Sequence, residues 1–128
     1  MIGATAFPVY GYARATLDVD LFVEASAENA RRVREALSDF GYDVSDLSVE
    51  DLLTKKVLIR QYVLQTDIHP FAAGVTFEDV WRNRVQSQLG KTPAAFASLD
   101  DLIRMKQAAG RPKDLEDLKV LRKLRDVR

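Results

Sequence analysis

Hydrophobic and polar residues alternate over Leu17–Val23, whereas over 27–40 the hydrophobic ones recur at three- and four-residue intervals. The first pattern has period two. Leu17, Val19, Leu21 and Val23 fall on one side of an extended chain, and Asp18, Asp20 and Phe22 fall on the other. The second is helical: Ala30, Val33, Leu37 and Phe40 form an apolar stripe, Ser26 suits the N-cap, and Gly41 suits a left-handed stop. Ahead of both, Ile2–Val9 is apolar and rich in small residues, which predicts a first strand turning near Gly11. Ser48 predicts a short helix through Lys55, and the β-branched and aromatic residues of Val57–Ile68 predict an extended segment. Pro70 and Gly74 interrupt the pattern. Thr76 then opens a helix carrying Phe77, Val80, Trp81 and Val85, with Asp79 in its first turn.

Beyond a turn at 90–93, Ala94–Ala97 predicts a short edge strand. Ser98 caps a helix over Leu99–Ala109, Gly110 ends it, and Pro112 stands where a first-turn proline is tolerated. Leu115, Leu118, Leu121 and Leu124 predict the buried stripe of a last helix. The order β-β-α-(α)-β-α-(β)-α-α predicts an α/β fold, a small mixed β-sheet with helices packed on it and further C-terminal helices. No linker, repeat or low-complexity segment divides the chain, so residues 1–128 read as a single domain.

Composition narrows the chemistry. The chain has no cysteine, which excludes disulfides, thiolate zinc sites and cysteine nucleophiles and fits a reducing compartment. No apolar run approaches the roughly 20 residues of a membrane span, and no leader pattern is present, so a cytoplasmic protein without membrane partners is expected. Nineteen basic residues balance 19 acidic ones, which argues against a generic polyanion binder but leaves room for a local basic patch.

Asp18 and Asp20 stand two apart on a predicted strand, so they share a side with α-carbons about 6.5–7 Å apart. Two like charges held together need a cation or a shared proton. Mg2+ takes oxygen ligands and keeps open positions for substrate phosphates, so this pair suits ions that grip a triphosphate. The same pair also suits a solvated strand face. Asp67, late in the extended segment, is the candidate third acid, or else an ordinary strand-end residue. Backbone amides at Gly3 and Ala4 can hold phosphate oxygens, and Arg14 and Thr16 either contact phosphates or decorate a turn. Lys106, Arg111 and Lys113 cluster beside Asp114 and Asp117, a pattern that reads first as plain helix capping and otherwise as phosphate contacts. His69 is the only histidine and is followed by Pro70, so it reads as a strand terminator, with a role beside its neighbour Asp67 as the alternative.

Gly3-Ala4, Gly11, Arg14, Thr16 and Asp18-Val19-Asp20 together resemble the first motif of minimal nucleotidyltransferases of the DNA polymerase beta superfamily. The segment with Lys106, Ala109, Arg111, Lys113-Asp114 and Asp117 resembles later motifs of the AbiEii-type branch, which includes toxins of type IV toxin–antitoxin systems. The likeness runs from Gly3 to Leu124. It implies a Mg2+-dependent transferase moving a nucleoside monophosphate to a hydroxyl of RNA, protein or a small molecule. It further implies Asp18, Asp20 and Asp67 as metal ligands, and Lys106 as a catalytic residue. Gly3, Ala4, Arg14, Thr16, Lys106, Arg111 and Asp114 would bind the nucleotide. A partner protein or a homodimer fits the same likeness. Three departures stand out: Ala4 replaces a glycine or serine, Tyr10 replaces a frequent histidine, and the usual helix ahead of the first strand is missing. Ala4 and the missing helix favour the competing reading, a catalytically weak nucleotide-binding or antitoxin-type interaction domain, while the three acids and the Lys106-Arg111-Asp114 cluster oppose it. A metal-dependent nuclease or phosphohydrolase would use similar acids.

Overall fold

The computed structural model describes residues 1–12, 18–60 and 65–127. Two 3-10 turns, Gly3–Thr5 and Phe7–Tyr10, lead into β1 (Asp18–Phe22), α1 (Ala27–Phe40), α2 (Val49–Thr54), β2 (Val57–Ile59) and β3 (Gln65–His69). They are followed by α3 (Phe77–Arg82), β4 (Val85–Leu89), β5 (Thr92–Phe96), α4 (Leu99–Ala109) and α5 (Pro112–Val127). β1, β3 and β2 form a three-stranded mixed sheet with β3 central, parallel to β1 and antiparallel to β2. β4 and β5 form a separate antiparallel hairpin. The α/β class, the small mixed sheet and the C-terminal helices are those the residue pattern predicts.

Local chemistry explains the helix limits. The Ser26 hydroxyl accepts from the Asn29 N–H at 3.2 Å, and Gly41 ends α1 at φ 114°. Ser48 and Asp51 form a reciprocal capping box at the start of α2, with bonds of 3.0 and 3.1 Å. Ser98 caps α4 and Gly110 stops it at φ 64°.

Four expectations are corrected. Ile2–Val9 is not a strand: Ile2 makes one bridge to Asp20, after which Gly3 at φ 63° and Pro8 in a helical first turn bend the chain into the two 3-10 turns. Small Ala4 and Ala6 let those turns bury Phe7 and Tyr10. Val57–Ile68 is not one extended run but two antiparallel strands, with Ile59 opposite Thr66. The helix from Thr76 stops at Arg82, and Val85 instead begins β4, which pairs with β5 around a turn at Gly90 and Lys91. Finally, Leu115 is exposed, and the buried side of α5 is Asp114, Asp117, Leu118 and Leu121.

Two apolar clusters hold these elements. Phe7, Phe96, Leu102 and Leu121 lie in one, and Ala30, Leu37, Leu52 and Ile68 in the other. β1 divides its alternate residues between them: Val19, Leu21 and Val23 line a groove with Val33 and Leu37 of α1, while Phe22 packs on the first cluster. A buried leucine, isoleucine or phenylalanine contributes about 1.5–3 kcal/mol. Both sides of the sheet are therefore anchored. Among the described residues, no helix is long and apolar enough to cross a membrane.

Candidate metal centre

The register of β1 on β3 sets Asp20 opposite Asp67 and Phe22 opposite His69. Side chains on neighbouring strands at paired positions share a side, and His69 is one alternation beyond Asp67. Three metal-capable groups are thereby gathered. Among the described residues, Asp20, Asp67 and His69 each offer a ligand atom, and these atoms all lie within 4.8 Å of one another. His69 Nε2 stands 2.9 Å from Asp20 Oδ1. All three side chains are mostly covered, with Asp67 the deepest at 9% exposure.

Two carboxylates and an imidazole are a suitable donor set for a small divalent ion. Adjacent ligands on an octahedral ion with bonds of about 2.1 Å sit about 3 Å apart. The Asp20–His69 separation has that length, so the residues present fit such an ion. Asp67 meanwhile has cationic neighbours: Arg60 donates to Oδ1 at 2.6 Å, and Lys56 Nζ lies 3.8 Å from Oδ2. Sequence reasoning missed Arg60 and Lys56, because the fold-back from β2 to β3 that brings them to Asp67 has no clear turn signature.

Asp18 lies one alternation before Asp20, opposite Gln65, and its carboxylate is outside the converging group. Its carbonyl accepts from the Thr5 hydroxyl at 2.9 Å, tying β1 to the first 3-10 turn. Arg14 and Thr16 lie outside the described residues. Gly3 and Ala4 occupy that turn, with the Ile2 N–H bonded to the Asp20 carbonyl at 3.0 Å. Gly3 is required there for two reasons. Its φ is +63°, and a β-carbon on it would stand 2.6 Å from Asp20 Oδ2. Gly3→Ala is expected to cost about 1–2 kcal/mol from the left-handed backbone alone. It should also push the Asp20 carboxylate aside, so thermal unfolding and divalent-ion titration should both register the change.

A cleft of about 450 Å³ joins this group to α4 and α5. Gly3, Asp20 and His69 stand on its lining with Lys106, Arg111 and Asp114. Asp114 has no exposed side-chain surface and accepts from Lys106 at 3.1 Å and from Arg111 Nε at 2.7 Å. It also takes the Arg111 backbone N–H at 3.2 Å, so it caps α5 while forming ion pairs. The capping expected of this cluster is thus present at Asp114, which also pairs with both cations. Burial pushes the Asp114 carboxyl up, but Arg111 and Lys106 outweigh that and hold it at about 2.

Lys106 is further engaged by Asp117 Oδ2 at 3.4 Å, and Asp117 Oδ1 accepts from the Tyr12 hydroxyl at 3.2 Å. Its ammonium is thus wedged between two buried acids. Arg111 differs: its side chain is 70% exposed. Hydrogen bonding and charge attraction from Asp114 raise its pKa, and the charge of Asp20 across the cleft adds to the effect. One exposed guanidinium thus faces a group of metal-capable side chains, an arrangement able to take a metal-bound phosphate chain between them.

No curated protein matches this chain. A family model described as a nucleotidyltransferase of unknown function (DUF6036) matches residues 1–124. With nearly the whole chain covered and a nucleotidyltransferase-like α/β fold around the cleft, this protein belongs to that nucleotidyltransferase family.

Proposed function

We propose that the protein moves a nucleoside monophosphate from a nucleoside triphosphate to an acceptor hydroxyl in a reaction that requires a divalent ion, with Mg2+ accompanying the triphosphate. The observation that carries this reading is the meeting of Asp20 and Asp67 on adjacent strands, with Asp20 lining one cleft together with Arg111. A bound divalent ion would neutralise phosphate charge and stabilise the attacking and leaving oxygens of an in-line displacement. Asp20 and Asp67 would hold the ion, and Asp18 would supply a further carboxylate for the metal that accompanies the triphosphate. Arg111 grips the phosphate chain through its exposed guanidinium. The amides of Gly3 and Ala4 take further phosphate oxygens. Lys106 and Asp114 keep Arg111 in position and complete the charge balance of that wall.

The acceptor oxygen attacks the α-phosphorus, its proton passes to an Asp67 carboxylate oxygen, and the bond to the departing pyrophosphate breaks. Most of the rate enhancement comes from alignment and fixed charge. The segment from Lys106 to Asp117 supports a place beside the AbiEii-type toxins, with RNA, protein or a small molecule as acceptor. A second reading is a nucleotide-binding domain of low activity that regulates a partner. The pairing of Arg60 with Asp67 favours it, because that cation already neutralises the acid.

The experiment is product analysis with triphosphate labelled at the α-phosphorus. Pyrophosphate release with label on an acceptor supports transfer. Label appearing only as free nucleotide would mean hydrolysis, and triphosphate binding by calorimetry without turnover would support the regulatory reading.

A further inference from the structure

We propose that His69 is a direct metal ligand, and that the Asp20–Asp67–His69 pocket consequently prefers a first-row transition ion, such as Mn2+, over Mg2+. The inference deepens the transferase reading by naming the ion this pocket selects, and its test does not depend on turnover.

The geometry carries the argument. His69 Nε2 and Asp20 Oδ1 are 2.9 Å apart, the spacing of neighbouring ligands on one ion, and Asp67 brings a third donor within 4.8 Å. The backbone of His69 is held by the sheet and its ring is mostly covered. The His69 carbonyl accepts the Val23 N–H at 3.0 Å, and the side chain is only 17% exposed at the end of the central strand. Holding a donor in place before binding removes part of the ordering cost of ligation.

Ligand chemistry then sets the selectivity. Carboxylates alone suit Mg2+, Ca2+ and Mn2+ alike, whereas imidazole nitrogen favours the transition series. Mn2+ accepts both donor types, and Mg2+ gives up its water reluctantly for nitrogen. Asp18, outside the pocket and bearing only oxygen, remains suited to Mg2+ arriving with a triphosphate. Arg60 does not block entry. Its side chain is 41% exposed and Lys56 is 49% exposed, so both can return to water when a divalent ion takes over the neutralisation of Asp67.

The test uses the full, untagged chain and Mn2+ alone. Bound and free Mn2+ are separated by electron paramagnetic resonance, Mg2+ is added in competition, and the bound ion is examined by a pulsed experiment for coupling to nitrogen-14. Because the chain has a single histidine, an imidazole coupling can come only from His69. The expected result is such a coupling in the wild type and its loss in His69→Ala. Mn2+ affinity in that variant should fall by at least about 10-fold, since even residues that merely orient a ligand cost 10–100-fold. His69→Asp, which returns an oxygen donor, should restore binding while shifting the preference toward Mg2+, and it guards against a variant that simply misfolds. Mn2+ that does not bind, or that binds with no imidazole coupling, overturns the proposal. So does an Mn2+-to-Mg2+ preference unchanged in both variants. A chain that shows the coupling yet transfers no nucleotide leaves the ligand assignment standing and removes the catalytic reading. Transfer without the coupling does the reverse.

Discussion

Asp67→Asn should lower the rate of nucleotide incorporation by about 10²–10³-fold, roughly 3–4 kcal/mol of transition-state stabilisation, while leaving the fold nearly intact. Asparagine keeps the shape of the side chain and an oxygen able to accept from Arg60, but it removes the charge. Arg60 and Lys56 are both substantially exposed, so neither becomes a buried, unpaired cation when that charge goes. A rate that collapses without a matching fall in Tm would place the loss in the reaction and not in folding. Asp18→Ala belongs in the same assay. Magnesium-dependent incorporation that stays at the wild-type level in both variants would reject the assignment of these acids.

On the opposite wall the balance between folding and chemistry reverses. Lys106→Met should destabilise the protein by about 3–5 kcal/mol, because breaking a buried ion pair by removing one partner is strongly destabilising. Asp114 and Asp117 are both buried, and Lys106 bridges them. Arg111 still serves Asp114, which favours the lower end of that range, and Tm should drop by roughly 10–20 °C. Arg111→Met should cost less stability, about 1–2 kcal/mol, as its side chain is largely in water and Lys106 still neutralises the buried Asp114. Its effect belongs in triphosphate affinity. Scanning calorimetry and nucleotide titration on the two variants separate a lysine that holds two helices from an arginine that meets substrate.

The same wall gives the protein an acid limit. Asp114 titrates at about 2 in the folded chain, against an ordinary value of 3.8. A carboxyl depressed by folding stabilises the native state above the unfolded value, and that stability is lost as pH falls through the folded one. The difference is worth about 2 kcal/mol. Unfolding followed between pH 4 and pH 2 should therefore steepen in the wild type. Lys106→Met, which removes part of the cause, should show a flatter profile over that window.

The strength of each local signal decided how much of this arrangement could be read in advance. α1 was legible to the residue because its cap, apolar stripe and terminal glycine agree. β1 was legible from strict alternation, which also put Asp18 and Asp20 on one side. The opening segment misled because apolar content without a period does not distinguish a strand from tight helical turns, and Gly3 with Pro8 decided it. α5 misled for another reason. Its leucines suggested the buried side, yet Asp114 and Asp117 are inside because Lys106 comes from α4 to meet them, a long-range pairing that helix periodicity alone does not encode. His69 carried a usable signal. It stands two residues after Asp67, so the alternation that groups Asp18 with Asp20 also groups Asp67 with His69, and the proline behind it drew attention to strand ending.

The central strand carries Thr66 and Ile68 toward one layer and Asp67 and His69 toward the other. Sliding β3 by a single residue would exchange the two sets, driving a carboxylate into the leucine-lined interior and presenting an isoleucine to the cleft. Such a misaligned conformer would lose the packing of Ile68 and scatter Asp20, Asp67 and His69 in one step. The same five residues, Gln65–His69, thus set both the alignment of the sheet and the gathering of its metal-capable side chains.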